Sequence, residues 1–90
     1  MKLQAKFTEF TNDTNWVSGT VGDCTFEAKL FDIPSAWGID EGRVSKLSIK
    51  SSQGSLMVNY SHGWDVRPDK YAKRYFKAVM GLLENAPERF

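Results

Sequence analysis

Ser61, His62 and Asp65 fall within five positions of one another, and they are the side-chain types that supply a nucleophile, a base and an orienting acid in hydrolytic chemistry. The spacing argues against that use, because such groups normally converge on one reacting atom from separate elements. The expectation is that Ser61-His62-Gly63 forms a turn and that Asp65 caps a helix. An enzyme built around His62, Asp65 and Arg43 is held only in reserve. His62 is the one histidine and Cys24 the one cysteine, so paired thiolate zinc motifs are excluded. The aspartates show no ligand spacing, and no metal or other cofactor is expected. Cys24 reads as a small strand residue in a reducing cytoplasm.

Binding chemistry has more material. Arg67, Lys70, Lys73, Arg74 and Lys77 form the densest basic stretch, and on a helix the last four line one side. That side suits a phosphate backbone or an acidic partner, or it is an ordinary solvated helix exterior. A second candidate surface collects Trp16, Phe31, Trp37, Lys46, Met57 and Asn59, which the strand pattern below assigns to, or near, the outward side of a sheet. Bulky apolar residues left facing water usually mark an interface with another protein or a second copy. Tyr60 and Trp64 are expected to pack, Trp64 stapling the helix start to the sheet. Arg43 and Asp65 flank one hairpin's open end and could pair there.

The elements that must position these groups are legible from periodicity. Ninety residues, 41% hydrophobic and 26% charged, make one domain with a single core, too small to enclose an elaborate catalytic cleft. The net charge of +1 argues against a surface that is wholly a counter-charge for nucleic acid or anionic lipid. No apolar run approaches the ~20 residues of a membrane span, so no membrane partner is expected. Leu3, Ala5 and Phe7 alternate with polar residues as a half-buried strand, and the five turn-favouring residues Thr11-Asn12-Asp13-Thr14-Asn15 reverse the chain. Gly22-Asp23 suits a type II′ hairpin turn, which pairs Val21 with Cys24. It places Val17, Gly19, Val21, Cys24, Phe26, Ala28 and Leu30 on one face, with Gly19 opposite Phe26.

A second hairpin runs from Arg43 to Ser61 around Ser51-Ser52-Gln53-Gly54. Centring the loop on Ser52-Gln53 sets Ile49 against Leu56 and Leu47 against Val58, with Val44, Lys46, Ser48, Met57 and Asn59 outward. After Pro68 the period becomes helical: Tyr71, Ala72, Tyr75, Val79, Leu82, Leu83 and Ala86 form the apolar stripe. Asn85 and Pro87 stop the helix, and Gly81 suggests a close approach to the sheet. The predicted fold is α+β, an antiparallel sheet of four to five strands with one C-terminal helix packed on one face.

Four stretches carry a resemblance: "WVSGTV" from Trp16, "FEAKLFD" from Phe26, "WGIDEGRVSKLSI" from Trp37 and "VNYSHGWDVRP" from Val58. Over roughly residues 15–70 the chain resembles a family of small bacterial and phage proteins in which G-R-I/V-S-K-L is followed by N-Y-D-R-G-W-D. Gly42 to Leu47 match the first motif, and Asn59, Tyr60, Gly63, Trp64 and Asp65 match the second. Ser61-His62 stands where the family carries Asp-Arg, which removes the charge pair. The resemblance implies a compact cytoplasmic, prophage-derived protein and brings no catalytic residue. The function expected is therefore a small non-enzymatic binding module acting through the outward aromatic sheet face, as a homodimer or with a protein partner. The alternative is a nucleic-acid-binding accessory protein using the basic helix.

Overall fold

The computed structural model describes residues 3–11, 15–31, 35–36 and 38–85. Trp37, Ala86, Pro87 and residues 12–14 lie outside them, so the expected reversal from Thr11 to Asn15 is described only at its ends, where Thr11 belongs to the first strand. Among the described residues, six antiparallel strands follow one another in space as in sequence: β1 (Ala5–Thr11), β2 (Trp16–Val21), β3 (Cys24–Leu30), β4 (Val44–Lys50), β5 (Leu56–Ser61) and β6 (Trp64–Val66). One helix, α1 (Ala72–Glu84), closes the fold. The α+β expectation holds, with a sixth strand at Trp64–Val66 beyond the four to five expected.

The first hairpin has the predicted register, Val21 opposite Cys24 and Gly19 opposite Phe26. Gly22 takes φ of 60°, the left-handed value a type II′ turn needs at that position. Gly19 is required by space: a Cβ there would overlap the Lys6 carbonyl oxygen and come within 2.6 Å of the Phe26 ring. Phe26 instead covers the bare backbone and meets Phe7 edge-on, ring centres 6.2 Å apart.

The second hairpin is paired two residues away from the predicted register, Ile49 opposite Val58 and Leu47 opposite Tyr60. A slip of two keeps every side chain on its face, so Leu47, Ile49, Val58 and Tyr60 are all buried. Its loop is longer because Ser51 organises it: the Ser51 hydroxyl accepts from the Gln53 and Ser55 amides, and Gly54 takes φ of 84°. Leu56, expected opposite Ile49 in the core, is 41% exposed at the hairpin end.

Four of the five strand pairings carry a register shift, which leaves an extra residue at Thr8, Ser45, Met57 and Asp65. Each such bulge bends its strand and increases twist, curling the sheet around the helix. Two of them overturn face assignments made by simple alternation. At Ser45 the extra residue turns Val44 inward, and both are buried. At Met57 the side chain rotates to the core side, its sulfur 3.6 Å from Cys24 Sγ.

The helix lies across β1, β2, β4 and β5 and buries Ala72, Tyr75, Val79 and Leu83. Those four stand at positions 72, 75, 79 and 83, the spacing of one helical stripe. Tyr71, placed by periodicity in that stripe, stands one residue before Ala72 and is 60% exposed. The cap is not Asp65, which sits in β6, but Asp69, whose carboxylate accepts from the Ala72 amide at 2.8 Å. Asn85 ends the helix as predicted, its side chain donating to the Gly81 carbonyl at 2.7 Å. Gly81 itself is exposed, and nothing lies within 4 Å of where its Cβ would be, so no close approach to the sheet explains it.

Candidate functional site

The strand registers line up the side chains of the uncovered face in rows. Trp16, Lys29, Lys46 and Ser61 stand side by side on β2 to β5; the next row holds Ser18, Glu27, Ser48 and Asn59. Across these rows lies a concavity of about 300 Å³, lined by Trp16, Glu27, Lys46, Leu47, Ser48, Asn59, Tyr60 and Ser61. Three of the six residues singled out for this surface, Trp16, Lys46 and Asn59, therefore converge. Each is half-buried, held in place by neighbours while keeping one side to solvent. Glu27, Ser48 and Ser61 join them without having been assigned to this surface, although the outward alternation places all three on it.

The other three diverge. Met57 is turned to Cys24 by its bulge, and Trp37 lies outside the described residues. Phe31 is half-buried just past β3, where its amide donates to the Arg43 carbonyl at 2.7 Å and its carbonyl accepts from Arg43 Nε at 3.1 Å. With Val44 and Met57 withdrawn into the core, the open face is mainly polar, and Trp16 is its large apolar element.

Gly42, Arg43, Trp64 and Asp65 occupy structural posts. The Arg43 amide donates to both carboxylate oxygens of Glu84, 3.3 and 3.2 Å away, tying the end of α1 to the start of β4. A Cβ on Gly42 would come within 2.6 Å of that carboxylate, so the space Glu84 needs is the space glycine leaves. Arg43 is 8% exposed and its guanidinium fastens the chain after β3; Asp65, its expected partner, instead accepts from the Asn59 amide group at 3.5 Å. Trp64 does staple sheet to helix, meeting Tyr60 at 5.1 Å and Phe76 at 5.6 Å, both edge-on.

His62 takes φ of 60° at the turn between β5 and β6, and its Nε2 lies 3.1 Å from Ser45 Oγ. This serine–histidine contact was not foreseen, because Ser45 comes from another strand. Ser45 is only 3% exposed, so its hydroxyl is not presented to a substrate; the contact anchors a strained turn. Neither Ser61 nor Asp65 joins it, Asp65 being engaged with Asn59. Among the described residues, no cluster of metal-ligating side chains occurs.

On the helix side, Lys70, Lys73, Arg74 and Lys77 are exposed, as is Arg67 before them. Two of the five cations already face rings of this chain: Arg67 lies 5.8 Å from the Trp64 ring, and Arg74 5.9 and 6.0 Å from those of Tyr71 and Tyr75. The Tyr71 and Tyr75 hydroxyls are 3.1 Å apart, and this bond, followed by burial, pushes the Tyr75 hydroxyl up to about 12. Burial and then the Asp23 charge raise the Cys24 thiol, which keeps it protonated and unreactive.

A six-strand meander backed by a single helix, joined through a Gly-Arg turn to the helix end, defines a small α+β domain. The family model described as Domain of unknown function (DUF7678) matches residues 15–84, and the chain belongs to that family. No curated protein and no solved structure matches it. No helix among the described residues is long and apolar enough to cross a membrane.

Proposed function

We propose that the protein is a small non-enzymatic binding module that meets another protein, or a second copy of itself, across the open face of its sheet. The observation that carries this reading is the concavity of about 300 Å³ on the face that the helix leaves uncovered. Trp16 supplies rigid apolar area at its edge, Lys46 and Glu27 supply opposite charges, and Ser48, Asn59 and Ser61 supply hydrogen-bonding groups. The motif resemblance supports a prophage origin and the lone cysteine a reducing cytoplasm. A photo-reactive side chain placed at Ser48, on the face, should form a covalent adduct with the partner or a second copy in cells. The same group at Lys73 should not; adducts from Lys73 alone would contradict the reading.

The second reading is a nucleic-acid accessory protein, and exposed Tyr71 among Lys70, Lys73 and Arg74 favours it, because a flat ring between cations can stack a base. Binding of this kind is strongest at low salt. No gel shift with single- or double-stranded DNA or RNA at ~50 mM salt would end it.

A further inference from the structure

Between the first hairpin turn and the helix lies a second cavity, half open to solvent, of about 420 Å³, lined by Leu3, Gly22, Asp23, Arg74 and Tyr75. That volume lies in the ~300–1,000 Å³ range of small-molecule sites. Its two charges are opposite in sign, yet no ion pair joins them. Among the described residues, the Asp23 carboxylate receives only the weak Cys24 thiol donor, 3.7 Å away. The Arg74 guanidinium is held over the rings of Tyr71 and Tyr75, which leaves its N–H edge to donate elsewhere. Between the charges the wall is apolar: the Gly22 backbone packs so closely that a Cβ there would lie 3.0 Å from Leu3 Cδ2 and 3.4 Å from Tyr75 Cε1.

We propose that this cavity binds a small zwitterion, its ammonium group at Asp23 and its carboxylate at Arg74, with a short apolar frame against Leu3 and Tyr75. A ligand with one charge would satisfy one end and leave the other as it is. Charge-assisted bonds at both ends are stronger than neutral ones and fix the orientation. The site lies apart from the open sheet face and does not depend on the reading of that face.

The test is an amide NMR titration of the full chain with glycine, L-leucine, γ-aminobutyrate and ε-aminocaproate, which span a range of charge separations. Isovalerate and isoamylamine serve as single-charge controls. At least one zwitterion should give saturable shifts at Gly22, Asp23 and Tyr75 and bind about tenfold or more tightly than either control. Asp23→Asn, which keeps a turn-forming residue, and Arg74→Gln, at an exposed position, should each abolish the preference while thermal unfolding is unchanged. Saturation by none of the zwitterions, equal binding of the controls, or a preference that survives both substitutions would overturn the proposal.

Discussion

Phe26 and Glu27 are neighbours in β3, yet Phe26 is 2% exposed beneath the helix while Glu27 stands on the open face among Lys46, Ser48 and Asn59. The covered face is built by close packing, and the glycine at position 19 and the bulges at Ser45 and Met57 all serve to fill it. Trp16, Glu27, Lys46, Ser48 and Asn59 on the open face stand outside the core cluster. On the proposed reading one sheet would separate stability from recognition, and substitutions on its two sides should have different consequences.

The sharpest contrast is between adjacent residues. Phe26→Ala should lower the unfolding free energy by ~3–5 kcal/mol, read from urea denaturation, because it removes a buried ring and leaves a cavity. Glu27→Ala should stay within ~0.5 kcal/mol of the parent. Equal effects at the two positions would break the division. A second pair tests the corrected helix start: Asp69→Ala should cost ~0.5–2 kcal/mol by loss of the cap, and Asp65→Ala should change stability by no more than ~0.5 kcal/mol. On the outer side of the helix, Gly81→Ala should stabilise by ~0.5–1 kcal/mol, since the added methyl meets nothing and helix propensity improves.

The smallest effect appears only in alkali. Tyr75 and Cys24, both on the covered side, hold their protons more tightly when folded, so the stability they contribute is complete below their unfolded values and lost above them. Urea midpoints should begin to fall near pH 9 as Cys24 titrates in the unfolded chain, and fall further as pH rises towards about 12 through the Tyr75 range. Tyr71→Phe, which removes the main cause of the Tyr75 shift, should flatten the upper part of that decline. A flat profile over the same range in the parent protein would contradict the hydroxyl pairing.

Alternation and period, read from sequence, were enough for the α+β class, the first hairpin, the inward set from Val17 to Leu30 and the helix. They failed where one residue is inserted into a strand. Val44 and Met57 each follow the outward parity, but a bulge rotates them inward, and parity counting has no means of detecting an extra residue. The hairpin register failed for a related reason: Ser51 bonds to amides across its loop, lengthening it in a way that pairing apolar residues cannot reveal. Of the candidate site, Trp16, Lys46 and Asn59 were legible because no bulge intervenes between them and the core residues that set their parity. The Ser45–His62 contact and the cavity at Asp23 and Arg74 were not, since each joins residues from separate elements whose meeting depends on sheet curvature and helix placement.

The central claim is that the open sheet face is where this protein is bound. Size-exclusion chromatography with light scattering on the wild-type chain and on Trp16→Ala tests it most directly. The account predicts a dimer, or a stoichiometric complex with a co-purified protein, for the wild type, and a single-chain mass with an unchanged far-ultraviolet circular dichroism spectrum for the variant. A single-chain mass for both, with nothing co-purified, would contradict it.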